Sequence, residues 1–158
     1  MKKKPSSIRK GVAAILFRRK EGRLEFLVMH RVLRWEGWET LKGGIEPGEN
    51  SKEALFREIE EELNIQKKNV QIVGIVSGAE IHFRIPLRFR GQMGGFSSAY
   101  YTPFYLVEIP LQIKPNLKND NIGEHDKIMF VSYNNALKTM TYSNTRAALR
   151  KAKRMLSH

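Results

Sequence analysis

The segment 51–63, Ser-Lys-Glu-Ala-Leu-Phe-Arg-Glu-Ile-Glu-Glu-Glu-Leu, restricts the fold more than any other stretch of this chain. At about 100° per residue on an α-helix, Leu55, Phe56, Ile59 and Leu63 fall on one arc, and Glu58, Glu61 and Glu62 share the arc beside it. The apolar stripe predicts a helix laid against a sheet, with the carboxylates presented along its border. Asn50 is the candidate N-cap and Glu53 its capping-box partner. Three like charges so close repel across i,i+3 and i,i+4 spacings. Arg57 projects about 100° away from Glu58 on the wheel, so a single arginine does not neutralise the set, whereas bound divalent cations can. Taken alone, an acidic helix face is also a common solvated surface.

Around this helix the sequence alternates between strand and helix signals. Segments 12–17, 24–30, 70–77, 80–89, 100–109 and 127–131 read as strands, each bounded by Gly, Pro, Asn or charge clusters. Two further helices are expected, one after Ser132 with Ala136, Leu137 and Met140, the other from near Ser143 with Ala148, Ala152 and Met155 at helical spacing. The order predicts an α/β (α+β) domain with helices on a mixed sheet, and 158 residues suit one domain spanning 1–158. The apolar run from Gly11 to Phe17 is short and ends in Arg18-Arg19-Lys20, so it reads as a buried strand and not as a signal peptide. No run approaches the roughly 18 apolar residues of a membrane span, and a cytoplasmic protein without membrane partners is the expectation.

Charge is unevenly placed. Positions 46–62 hold seven acidic residues and two basic ones, a net −5, while the remainder holds 26 basic and nine acidic ones, a net +17. A negative cluster within a positive chain suggests a cation site facing an anionic substrate. There is no Cys, which excludes disulfides and thiolate metal sites and leaves Asp, Glu, His, carbonyls and water as ligands. Such oxygen-rich ligands suit magnesium or manganese.

The loop Gly43-Gly44-Ile45-Glu46-Pro47-Gly48 precedes the helix, and its spacing to the carboxylates is informative. From Gly43, five residues lead to Glu49, and seven more to Arg57-Glu58-Ile59, then Glu60, Glu61-Glu62, Leu63, Asn64 and Ile65. This pattern resembles the Nudix box, departing from it only where Asn64 stands in place of a glycine. Asn is the next-best residue for the left-handed conformation expected there. The resemblance implies a Nudix-type α/β/α sandwich and a pyrophosphohydrolase. It further implies that Glu58, Glu61 and Glu62, with the backbone carbonyl of Gly43, hold Mg2+ or Mn2+, and that Glu49 and Arg57 form a supporting pair. The general base is left between Glu61 and Glu124, the latter also a candidate metal ligand.

Residues 124–152, beginning Glu-His-Asp-Lys-Ile-Met-Phe-Val-Ser-Tyr, resemble the C-terminal part of asymmetric diadenosine tetraphosphate hydrolases and RNA pyrophosphohydrolases, with Met129-Phe130 near the usual Trp. The implied substrate is a nucleoside polyphosphate, first a dinucleoside polyphosphate such as diadenosine tetraphosphate. An RNA 5′ end is the alternative, in line with the basic segments Lys2 to Lys4 and Arg150 to Arg154, and a non-catalytic nucleotide- or RNA-binding module is a third reading. Lys42 stands where these relatives carry a phosphate-reaching lysine, although Leu41 replaces their usual proline. Arg84, Arg88 and Arg90 alternate on one expected strand and would share a face. An aromatic platform for a base is sought among His82, Phe83, Tyr100, Tyr101 and Tyr142, with Phe83 and Tyr101 preferred. The glycine-rich stretch 91–98 is read as a mobile loop, a candidate lid. Monomer and homodimer are both compatible with the sequence.

Overall fold

The computed structural model describes residues 7–157, so Lys2 to Lys4 lie outside the described residues. Its centre is β1, Ile8–Lys20, in which every residue from Val12 to Leu16, and Phe17 after them, is at most 1% exposed. Alternate side chains enter different cores: Ala13, Ile15 and Phe17 pack on one side of the sheet, Val12, Ala14 and Leu16 on the other. A strand covered on both faces reads as a continuous apolar run, which explains the run in the sequence. At its end Glu21 and Gly22 both take positive φ, 51° and 75°, and turn the chain directly into β2, Arg23–Arg31, with Lys20 opposite Arg23. Two positive-φ residues are what a tight hairpin needs to match strand twist.

Short strands β3, Gly37–Glu39, and β4, Leu41–Gly44, follow, and then α1, Ser51–Leu63. Next come β5, Gln71–Ile75, β6, Ile81–Arg84, β7, Ser98–Glu108, and β8, His125–Ser132, before α2, Tyr133–Thr139, and α3, Ser143–Leu156. β7 runs parallel to β1, whereas β2 and β4 pair with β1 antiparallel, β3 and β8 with β2, and β5 and β6 with β7. The sheet is therefore mixed. One face packs on Ala54, Leu55, Ile59 and Leu63 of α1, the other on Ala136 of α2 and Ala148, Leu149 and Ala152 of α3. No helix among the described residues is long and apolar enough to cross a membrane.

Both ends of α1 are built from local chemistry. Asn50 Oδ1 accepts from the Glu53 amide at 2.8 Å, and Glu53 Oε1 accepts from the Asn50 amide at 3.1 Å, a reciprocal cap. Asn64 closes the helix at φ 56°, its amide donating to Glu60 O. Its side chain is used as well, because Asn64 Oδ1 accepts from Asn119 Nδ2 at 2.8 Å. A glycine there would leave Asn119 without that acceptor.

Several sequence expectations are corrected. Gly43 and Gly44 belong to β4, opposite Val12 and Gly11, so the loop before α1 begins only at Ile45. β3 and β4, three and four residues long, were too short to show a period. The expected strand 80–89 ends at Arg84, because Pro86 lacks a ladder donor and opens a 3-10 turn, Leu87–Phe89. Arg84, Arg88 and Arg90 consequently share no strand face, and Arg90 Nε instead donates to Ile85 O at 3.0 Å. Phe56, expected in the apolar stripe, is only half-buried and carries Lys67 Nζ 5.0 Å from its ring centre.

Candidate active site

Burial divides the acidic face of α1. Glu58 and Glu62 turn towards the sheet and are buried, while the Glu61 side chain remains 56% exposed. Glu58 lies against Gly43 of β4: a Cβ built there would come within 2.1 Å of Glu58 Cδ. Only a residue without a side chain allows this approach.

Arg57 reaches further than the helical wheel suggests, because its long side chain curls back along the helix. Nε and Nη2 grip the two Glu49 oxygens at 2.8 and 2.9 Å, a bidentate fork. Nη1 donates to Glu58 at 2.9 Å and Glu61 at 3.2 Å, and Nη2 also donates to Gly44 O at 2.8 Å. Glu49 in turn accepts from the Glu46 amide at 3.0 Å. The guanidinium thus ties the loop to α1 and serves two of the three carboxylates. Its hydrogen bond to Arg57 holds Glu49 down, near 2.

Glu62 receives no such help. Its Oε2 is buried without a hydrogen-bond partner among the described residues. Burial, then the nearby Glu58 and Glu124, push its carboxyl well above the usual range. Burial outweighs Arg57 and raises Glu58 to about 7. An orphaned carboxylate oxygen, two carboxyls that burial pushes towards the protonated form, and a cradle cleared by Gly43 fit a hard divalent cation. Glu58, Glu61 and Glu62 are the α1 carboxylates available to hold it.

Beside this face lies an ionic cluster that sequence reasoning missed. Glu39, 3% exposed, accepts from Arg31 Nε at 2.7 Å, from Lys42 Nζ, and pairs with His125 Nε2 at 2.9 Å. Burial alone would raise the Glu39 carboxyl, but Lys42, His125 and Arg31 together hold it well below the usual carboxylate range. Burial depresses the Lys42 ammonium against the opposing pull of Glu39. Arg31 Nη2 also lies 3.5 Å from Glu124 Oε2.

Two cavities open here and share Trp35 and Lys42 as walls. The first, of about 220 Å³, is charged, lined by Glu58, Glu62 and Glu124 with Gly43, and by Arg9, Arg31 and Arg34. The second, of about 250 Å³, is chiefly apolar, with Trp35, Phe83, Phe89 and Tyr142 among its walls and Arg84 and Arg88 also lining it. Trp35 meets Phe83 edge-on at 5.6 Å and carries Arg31 4.8 Å from its ring centre.

Among the sequence candidates, Gly43, Glu58, Glu62 and Glu124 converge on the charged cavity, and Lys42 lines both. Phe83 and Arg84 line the aromatic one, whereas Tyr101 borders the charged one, stacks on Phe83 at 6.1 Å and accepts from Arg9 Nη1 at 3.0 Å. Glu49 and Glu61 line neither cavity and reach the site through Arg57. The stretch 91–98 contains a 3-10 turn, Gly91–Met93, whose Gln92 and Met93 edge the charged cavity. Trp35, Glu39, Arg9, Arg31 and Arg34 escaped notice because nothing periodic marks them. The one available hint was the density of aromatic and charged residues in 31–42.

Comparison with known proteins identifies the family and the fold. The family model for the NUDIX domain matches residues 7–152. The chain is similar to the RNA pyrophosphohydrolase of Sulfurovum sp., with 31% identity over 137 residues, covering 86% of this chain and 85% of the relative. The asymmetrical bis(5′-nucleosyl)-tetraphosphatase of Caenorhabditis elegans is 33% identical over 63 residues, covering 40% of this chain and 46% of that protein. In fold, the chain is similar to the C. elegans Ap4A hydrolase in its binary complex, with a TM-score of 0.71 at 23% identity, covering 94% of this chain and 98% of that one. The E. coli dihydroneopterin triphosphate pyrophosphohydrolase has a TM-score of 0.69 at 16% identity and 96% coverage of both chains.

Proposed function

This chain belongs to the Nudix family, and on that premise we propose that it hydrolyses a pyrophosphate bond of a nucleoside polyphosphate, foremost a dinucleoside polyphosphate such as diadenosine tetraphosphate, with Mg2+ or Mn2+. One observation carries the reading: a carboxylate- and arginine-lined cavity adjoins an aromatic one across Trp35 and Lys42. That arrangement suits a phosphate chain ending in a base.

Glu58, Glu61 and Glu62, with the Gly43 carbonyl, are the proposed cation ligands. Held by these ligands, a divalent cation would supply polarisation of a phosphoryl oxygen and offset charge on the leaving group. Arg9, Arg31, Arg34 and Lys42 line the same cavity and offer positive charge to the polyanion. Lys42 is aimed by Glu39, so its ammonium is shared between that carboxylate and the phosphates. Trp35, Phe83, Phe89 and Tyr142 offer stacking surface to the base and keep water from it. Two carboxylates can take the proton of the attacking water: Glu124, which lines the charged cavity, and Glu61, which stays open to solvent.

A second reading, removal of pyrophosphate from RNA 5′ ends, is favoured by the Sulfurovum relative and by charge. Residues 127–158 contain Lys127, Lys138, Arg146, Arg150, Lys151, Lys153 and Arg154 and no acidic residue. The deciding experiment offers diadenosine tetraphosphate, 5′-triphosphate RNA, ADP-ribose and nucleoside triphosphates with Mg2+ or Mn2+. ATP plus AMP from the first supports the primary reading. Pyrophosphate release from RNA with the dinucleotide left intact moves the assignment to the second. Hydrolysis of none of them overturns both.

A further inference from the structure

His125, the first residue of β8, has a side chain only 2% exposed. Its Nε2 lies 2.9 Å from Glu39 Oε1. Both Glu39 oxygens already accept, Oε1 from Arg31 Nε and Oε2 from Lys42 Nζ, so a carboxylate acceptor faces the ring. The imidazole must therefore donate from Nε2, which in the neutral ring leaves a lone pair on Nδ1. That Nδ1 is buried without a hydrogen-bond partner among the described residues. Glu62 Oε2 is likewise buried without a partner among the described residues. One donor atom each from Glu62, Glu124 and His125 lies within 4.8 Å of the others, close enough for the three to address a common cation.

We propose that His125, through Nδ1, completes with Glu62 and Glu124 a divalent-cation site of mixed nitrogen and oxygen donors. The inference rests on the cation-binding reading of α1, with which it shares Glu62, and adds a ligand that lies outside the box motif. A lone pair facing a cation satisfies both orphans at once, where an apolar filling would leave both unmet. Glu39 has the role of the carboxylate that fixes a metal-bound imidazole in one tautomer. An imidazole also changes selectivity. Magnesium favours all-oxygen surroundings, whereas manganese, cobalt and zinc accept nitrogen more readily. The site is accordingly expected to bind Mn2+ at least tenfold more tightly than Mg2+.

Pulsed paramagnetic resonance of the full chain loaded with Mn2+ tests this without any substitution. Directly coupled nitrogen modulation that changes when the histidines carry 15N is the expected result, and its loss in His125→Asn assigns it. A manganese-loaded protein whose spectrum lacks histidine nitrogen overturns the inference while leaving the α1 site standing. Failure of Mn2+ to bind, even with nucleotide present, overturns both. Titration calorimetry gives a second readout: the preference for Mn2+ over Mg2+ should narrow in His125→Asn, and an unchanged ratio in a folded variant counts against the ligand. Should that variant not fold, the wild-type spectrum decides alone.

Discussion

The carboxyl group of Glu58 occupies the space that a side chain on Gly43 would fill, with a built Cβ only 2.1 Å from Glu58 Cδ. Strand and helix can close to this distance only because residue 43 is glycine. Gly43→Ala should therefore displace Glu58 and lower kcat by at least tenfold. The stability cost should be only about 1–3 kcal/mol, the usual range for an added methylene in a packed place. Steady-state kinetics beside thermal melting checks this, and an unimpaired kcat would count against the role of Glu58.

Glu58→Gln and Glu61→Gln should each abolish turnover with the fold intact. Both replacements keep volume and remove the charge that would hold a cation. Circular dichroism and a divalent-ion titration distinguish loss of the ion from loss of structure. Full activity in either variant defeats the ligand assignment.

Arg57→Ala should reduce both activity and stability, because one guanidinium holds Glu49, Glu58, Glu61 and the Gly44 carbonyl. Partly exposed as it is, its removal should cost about 1–3 kcal/mol, the range for charge-assisted hydrogen bonds. Arg57→Lys should not restore the loss, since an ammonium cannot form the fork to Glu49. Chemical denaturation of the three proteins provides the comparison.

Without divalent ions, stability should fall as pH rises through the interval from 4.5 to about 7. Glu58 has an ordinary value of 4.5 and is raised to about 7 in the fold, so across that window the native state binds more protons than the unfolded one. The advantage is complete below 4.5 and gone above 7. Glu62 is shifted in the same direction and extends the trend. Added Mg2+ or Mn2+ should flatten the profile, because the cation takes the place of the protons. Melting curves from pH 4.5 to 8 with and without metal measure it; parallel profiles would refute the linkage.

Trp35→Ala should raise KM for nucleotide substrates by about 5- to 150-fold, the range expected from losing about 1–3 kcal/mol of base stacking. A smaller change in kcat is expected, since the carboxylates are untouched. An equal loss for inorganic polyphosphate would assign Trp35 to the phosphate chain and not to the base.

How much of this was legible in the sequence follows from the range of the interactions. The span and caps of α1 could be read from sequence, because its N-cap, most of its apolar stripe and its left-handed Asn64 are settled within a few positions of one another; the half-buried Phe56 and the reach of Arg57 could not. β1 announced itself by an unbroken apolar run, the mark of a strand buried on both faces. Spacing from Gly43 to Glu62 carried the acidic face and its family resemblance. The tertiary structure alone decided the rest. Glu39 meets His125 across 86 positions, and the aromatic cavity gathers Trp35, Phe83, Phe89 and Tyr142 from distant segments of the chain. β3 and β4 exist because β2 and β1 supply their hydrogen bonds, not through any preference of three or four residues. Local chemistry thus specified the helix that bears the carboxylates, and long-range pairing, which leaves no period in a chain, built the walls that face them.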